Sequence, residues 1–139
     1  MSITLGILKM KKLLLVMTVL TVGFSSASAL AMGEKTYQQV CMVCHTSGVA
    51  NAPKIGDKER WAPLIAEGQV IITAHGYVGV RGMPPKGGKP DLSIEDFSAA
   101  INYMVNQSGG HWNTPNKSMM NDIKKELIAR ELAQKNPKK

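Results

Sequence analysis

Cys41-Met42-Val43-Cys44-His45 is the stretch on which the rest of this chain is organised. Its two thiols are separated by two residues, so one turn of helix brings both to the same side. This spacing, followed at once by histidine, is the attachment signal for c-type haem: the thiols bond to the two vinyl groups and the imidazole reaches the iron. Cys41 and Cys44 are therefore the candidate covalent attachment residues, and His45 is the candidate iron ligand.

Two other chemistries use a pair of cysteines at this spacing. A redox-active pair of the thioredoxin type needs alternating strands and helices, which the sequence pattern does not show. A four-thiolate zinc site needs a second pair, and the chain has 2 cysteines in all. The immediate histidine therefore favours haem attachment over both.

The first 31 residues have the layout of an export signal. Three lysines precede an apolar stretch from Leu13 to Phe24, and the small residues that follow contain overlapping cleavage signals ending at Ala29 and Ala31. Met10 is a second candidate start. The apolar stretch is about 12 residues long, short of the roughly 20 that a membrane span needs. We therefore expect residues 1–31 to be a cleaved signal, rather than an uncleaved anchor, and the protein to be periplasmic.

The net charge of +7 lies at the two ends of the chain. Residues 32–115 carry seven basic and seven acidic side chains, whereas residues 116–139 carry seven basic and three acidic ones. A neutral domain without a basic and aromatic surface pattern gives no support for nucleic-acid binding. We expect a domain of residues 32–108 followed by a basic extension of residues 109–139.

Three segments have a helical pattern that can be assigned directly. Gly33 to Val40 is expected to run as a helix into the cysteine motif. Ser93 to Gln107 has a capping serine, an acidic first turn and an apolar stripe. Lys117 to Gln134 can form an amphipathic helix, which we expect to lie on its own domain. Docking to an acidic partner or an anionic membrane surface is the alternative for this last helix.

The middle of the chain predicts shorter elements. Asp57 can cap a helix, but Pro63 argues against continuing it, so we expect a turn at residues 58–61 and a short helix from Pro63 to Gly68. A third short helix is expected from Gln69 to Ala74, closed by His75 and Gly76. Between the cysteine motif and Asp57 the pattern is that of a loop.

Two side chains in this region are candidates for packing against the haem. Ile55 is the largest aliphatic side chain of the loop. Trp61 either covers the haem edge and donates its indole N–H to a propionate, or belongs to the ordinary core. A buried indole N–H needs a partner in either case.

Met83 lies in a segment, residues 76–88, that is too rich in glycine and proline for a regular element. Gly82 leaves space before it, and Pro84 favours an extended backbone at Met83. A ligand on such a loop has few conformations, so Met83 is the candidate second iron ligand. The chain has 9 methionines and methionine often fills cores, so the Gly-Met-Pro-Pro setting carries the inference. His75 is the only serious substitute.

With these segments placed, the chain resembles the class I cytochromes c, most closely the bacterial cytochrome c5 family. The resemblance covers roughly residues 33–108. It is carried by the cysteine motif and by four further stretches, Gly48 to Lys58, Trp61-Ala62-Pro63, Gly82 to Gly88 and Tyr103-Met104-Val105. It implies an all-α fold in which several short helices surround one covalently bound haem c, with the C-terminal helix as an addition.

The resemblance also implies roles for particular residues. Cys41 and Cys44 would hold the haem covalently, and His45 and Met83 would be its axial ligands. The first and last helices of the domain would cross where Gly33 and Tyr37 meet the Ile101–Tyr103 region. Relatives often carry a second cysteine pair after the methionine loop, but its positions are taken here by Lys89 and Leu92.

The function that this family implies is one-electron transfer without substrate turnover. The expected partners are transiently bound redox proteins of a respiratory chain, together with the machinery that attaches the haem. One alternative is a haem with an open or histidine-ligated sixth position, giving peroxidase-like or gas-binding chemistry. Another is a fixed subunit of a larger respiratory complex, docked through residues 117–134.

Overall fold

The structure is a computed structural model that describes residues 25–136. This part of the chain consists of helices and loops, with one isolated two-residue bridge, so the all-α prediction is confirmed. The basic and apolar parts of the expected export signal lie outside the described residues. In chain order the elements are α1 (Ser25–Thr36), a π-helical turn (Tyr37–Cys41), α2 (Met42–Ser47), a 3₁₀ turn (Val49–Asn51), α3 (Lys58–Glu67), α4 (Gln69–Val78), a 3₁₀ turn (Pro85–Gly88), α5 (Ile94–Gln107) and α6 (Lys117–Lys135).

The helix predicted for residues 33–40 is part of a longer helical segment that runs from Ser25 to Ser47. Small residues with acceptable helix propensity fill its start, which contains both candidate cleavage positions. Before the cysteine motif the hydrogen bonding widens, and the N–H of Met42 donates to the carbonyl of Tyr37, five residues earlier. Through this π-helical turn both Tyr37 and Cys41 enter the core.

Pro63 does not interrupt the helix that Asp57 caps, so the predicted turn and separate short helix are wrong. The carboxylate of Asp57 accepts the N–H of Arg60 at 3.1 Å, and α3 continues through the proline. The missing N–H of Pro63 deprives only the carbonyl of Glu59 of its helical partner. Both residues are exposed, so water can bond that carbonyl instead.

α4 is also longer than predicted. His75 and Gly76 lie inside the helix, which ends at Gly79, where φ is +94°. Gly76 stays helical because its lack of a side chain lets the ring of Phe97 pack against the helix. A β-carbon there would lie 2.9 Å from that ring. The prediction treated this glycine as a helix stop, whereas the structure uses it for close packing.

The core lies where α1 crosses α5, as the family resemblance implies. A β-carbon on Gly33 would overlap the backbone of Ala99 and lie 3.3 Å from the β-carbon of Tyr103. The rings of Tyr37 and Tyr103 are 5.4 Å apart. The predicted apolar stripe of α5 is buried. The core cluster consists of Tyr37, Cys41, Trp61, Ile72, Leu92, Phe97, Ala100, Ile101, Met104 and Val105.

The C-terminal helix lies on its own domain, as expected. α6 packs against α4, and its residue Ile123 is completely buried. The ammonium of Lys124 bonds the carboxylate of Glu95 at 3.0 Å, which ties α6 to the first turn of α5. None of the helices within residues 25–136 combines the length and the hydropathy that crossing a membrane requires.

Gly33→Ala should lower the free energy of unfolding by about 1–3 kcal/mol, although alanine is the better helix former. The added methyl group would meet a backbone carbonyl, which cannot rotate away as a side chain can. Denaturant unfolding followed by circular dichroism measures the change. The matched control is exposed Lys35→Ala on the same helix, which should change stability by less than about 0.5 kcal/mol. Equal stability of Gly33→Ala and the native protein would contradict the close crossing.

Candidate functional site

The two cysteines lie on either side of the junction between the π-helical turn and α2. Cys41 is buried, Cys44 is half-buried, and no disulfide joins them. Burial, followed by the neighbouring Cys44, raises the pKa of the Cys41 thiol to about 11. A redox-active pair needs a stabilised thiolate and therefore a lowered pKa. The environment of Cys41 thus disfavours the thioredoxin-type alternative and suits a sulfur held in an apolar core.

The imidazole of His45 is buried and held in one orientation. Its Nδ1–H donates to the carbonyl oxygen of Pro53 at 2.8 Å. This bond determines the tautomer and leaves the lone pair of Nε2 available for a metal. Histidine ligands usually have such a partner on their other nitrogen. The arrangement is therefore that expected of an axial ligand.

The loop after α2 is fastened at four consecutive residues. The carbonyl of Pro53 accepts from His45, and that of Lys54 accepts the indole N–H of Trp61 at 2.8 Å. The N–H of Ile55 donates to the carbonyl of His45 at 2.7 Å, and the N–H of Gly56 donates to the hydroxyl of Ser108. These bonds join the loop to α2, to α3 and to the end of α5. The acceptor for the imidazole is consequently rigid.

Trp61 is 2% exposed, and its indole N–H is used by the backbone of Lys54. Of the two roles predicted for it, the structure supports the core role, because the N–H has its partner within the protein. Its ring lies 6.3 Å from the ring of His45, centroid to centroid. Trp61 therefore supports both the ligand and the loop that orients it. Ile55 is half-buried and packs on the same core cluster.

Met83 is the last residue of a tight turn that begins at Val80. Its N–H donates to the carbonyl of Val80 at 2.9 Å, and its carbonyl accepts the N–H of Val80 at 3.1 Å. The Met83 side chain is half-buried against the core cluster to which Cys41 also belongs. Its methyl group lies 3.7 Å from where a β-carbon of Gly76 would be. The methionine therefore packs beside Gly76 of α4, a contact that the sequence analysis missed.

His75 lies on the part of α4 that faces α6. It borders a cavity of about 220 Å³ together with Arg130, Ala133 and Gln134 of α6. Its Nδ1 is 3.7 Å from the carboxylate of Glu67. Burial, and after it the Arg130 guanidinium, lowers the pKa of His75 and favours the neutral imidazole. The α4 residue beside the methionine is Gly76, so this arrangement gives no support to His75 as a substitute ligand.

The donor set fits a covalently attached haem. It comprises two unpaired thiols, an imidazole with a free Nε2 and a thioether on a constrained turn. Cys41, Ile55, Trp61 and Met83 all belong to or pack against one apolar cluster. Within residues 25–136, no three histidine, cysteine or acidic side chains gather into a separate metal site.

Comparison with known proteins points to the same chemistry. Residues 28–104 match the family described as cytochrome c oxidase, cbb3-type, subunit III. The chain is 46% identical over 82 residues to cytochrome c-555 of Chlorobaculum thiosulfatiphilum, a match that covers 56% of this chain and 95% of that protein. It is 36% identical over 74 residues to cytochrome c5 of Azotobacter vinelandii, covering 52% and 89% respectively.

A solved structure is similar as well. One chain of the crystal structure of an electron-transfer complex of nitrite reductase with cytochrome c is 45% identical, with a TM-score of 0.54. The match covers 55% of this chain and 94% of that chain. The family match ends at residue 104, so α6 lies beyond it.

Trp61→Phe should lower the free energy of unfolding by about 1–3 kcal/mol, because the carbonyl of Lys54 loses its buried donor. The haem spectrum and the reduction potential should stay the same, since the indole bonds the backbone and not a propionate. Unfolding curves and potentiometry measure the two effects. The half-buried Trp112→Phe at the edge of the core is the control and should cost less than about 1 kcal/mol. A shifted potential without any loss of stability in Trp61→Phe would instead indicate a propionate contact.

Proposed function

We propose that this chain, which belongs to the c-type cytochrome family whose model matches residues 28–104, is a periplasmic carrier of single electrons between respiratory proteins. The cofactor of such proteins is covalently attached haem c, which supplies one-electron exchange at its iron when bound. We assign its attachment to Cys41 and Cys44 and its axial ligation to His45 and Met83. The observation that carries the assignment is the bond from buried His45 to the carbonyl of Pro53.

Two protein ligands would leave no coordination position for a substrate. His45 is oriented by its backbone partner, and Met83 is held by both hydrogen bonds of its turn. Histidine and methionine together favour the reduced iron and raise the potential relative to two histidines. This ligand pair supports electron carriage over the peroxidase-like or gas-binding alternative, which requires an open or exchangeable position.

The proposed partners are redox proteins that bind transiently, as weak and small interfaces allow rapid turnover. A similar chain is known from an electron-transfer complex, which supports this class of partner. The attachment of haem requires a second, biosynthetic partner. Periplasmic location is proposed from the export signal and from the site of thioether attachment in bacteria. Because residues 32–115 carry no net charge, we propose no nucleic-acid partner.

A fixed subunit of a respiratory complex is the second candidate. The matched family is described as a subunit of an oxidase, and the chain carries a basic helix beyond the matched residues. In the structure, however, the buried face of α6 is occupied by its own domain. Lys117→Glu with Lys125→Glu, which changes only exposed side chains of α6, separates the two functions: a carrier keeps its electron transfer in solution, whereas a subunit docked through this helix loses its association with the complex.

Met83→Ala should abolish the weak band at the red edge of the ferric spectrum that reports iron–methionine bonding. The reduction potential should fall, by an amount on the order of tenths of a volt, because a water or a histidine would replace the thioether. Optical spectra and a redox titration measure both. His75→Ala is the control, and it should retain the band and the potential. If the native protein lacks the band, Met83 is not bound and the ligand assignment is wrong.

A further inference from the structure

Within the described residues, α4 packs against both the methionine turn and the C-terminal helix. On one side it packs against the turn that carries Met83. On another side it is covered by α6, which lies outside the residues that match the family. The C-terminal helix is thus placed to act on the iron ligand through a single intervening element.

The contacts between α4 and the methionine turn are close. A β-carbon on Gly79, the residue that ends α4, would lie 2.9 Å from the nitrogen of Pro85 and 3.2 Å from the carbonyl oxygen of Met83. The ammonium of Lys86, which follows the turn, lies 5.0 Å above the ring of Tyr77. The Tyr77 hydroxyl in turn donates to the carbonyl of Leu92 at 3.0 Å, which holds the end of α4 against the segment before α5. Displacing the turn therefore requires the end of α4 to move or to lose these contacts.

The contacts between α4 and α6 reach the base of the same turn. The cavity of about 220 Å³ described above is bordered by residues 78–80 on one side and by residues 130, 133 and 134 on the other. Val80, which makes both hydrogen bonds to Met83, is among these residues. α6 consequently overlies the point at which the methionine turn leaves α4.

The extension is fastened at its start as well as along its length. The side-chain amides of Gln69 and Asn102 both donate to the carbonyl of Asn113, at 2.9 and 2.8 Å, and they bond each other at 2.7 Å. Asn106 donates to the carbonyl of Trp112 and accepts its N–H. We call the bonds made by these three side-chain amides the amide clasp. Farther along the extension, Ile123 is fully buried and Lys124 pairs with Glu95. The C-terminal extension is therefore attached to the domain as an integral part of the fold.

We propose that α6 is a brace that keeps Met83 on the iron, with Ile123 as its positioning residue. By covering α4, α6 raises the free energy of any conformation in which the end of α4 shifts and the methionine turn opens. A helix that merely stabilised the domain would protect every part equally, whereas the brace acts selectively on the sixth ligand. The proposal rests on the ligation of iron by Met83 proposed above.

The test is the competition between Met83 and added imidazole for the ferric iron of the haem-loaded protein. Ile123→Ala should raise the apparent association constant for imidazole by about tenfold, within the range typical of energetic coupling between two sites. It should also weaken the red-edge band. Ile128→Ala is the matched control: it changes the same residue type on the same helix, but at a position that is 56% exposed. Its imidazole affinity should lie within about twofold of the native value.

Two further variants separate bracing from general stability. Ile123→Val removes a single methylene and should fold even if Ile123→Ala does not, and it should raise imidazole affinity about two- to threefold, since the coupling is partly kept. Gly33→Ala destabilises the domain at the distant α1–α5 crossing and should leave imidazole affinity within about twofold of native.

Unchanged imidazole affinity in Ile123→Val and in any folded Ile123→Ala would overturn the brace, as would an equal increase in Gly33→Ala. A native protein without the iron–methionine band would overturn the ligand assignment and the brace together. That result appears before any variant is compared, so the two failures can be told apart.

Discussion

One hydrogen bond, from the imidazole of His45 to the carbonyl of Pro53, orients the residue on which the proposed chemistry depends. A free imidazole could present either nitrogen to a metal, and this bond leaves only Nε2. The acceptor is a backbone atom, so its position depends on how firmly the loop is held. Trp61 and Ser108 hold that loop at the adjacent residues, and the C-terminal end of α5 thereby contributes to the orientation of the ligand.

The second constraint is the distance between α1 and α5. Gly33 lets the two helices approach until backbone meets backbone, and the π-helical turn that follows directs both Tyr37 and Cys41 into the core. A domain of this size has little apolar surface to bury, so a covalently held porphyrin contributes a large part of it. The cysteine motif is thus part of the packing as well as part of the redox site.

Around the methionine, the structure combines a turn of few conformations with a helix that has little side-chain volume at the point of contact. The Met83 side chain packs beside Gly76, and Gly79 brings the turn against the end of α4. The amide clasp of Gln69, Asn102 and Asn106 adds the C-terminal extension to this assembly. The extension is therefore continuous with the fold, although the matched family region ends before it.

The sequence by itself determined the local features: the cysteine motif, the caps at Asp57 and Ser93, and a methionine between glycine and prolines. Each depends on residues a few positions apart, and such spacing can be recognised directly in the sequence. The tertiary structure decided that Trp61 bonds the backbone of Lys54, that α3 continues through Pro63, and that His75 faces α6. These outcomes depend on long-range packing or on solvent access, and contacts to backbone carbonyls leave no mark in the pattern of side chains.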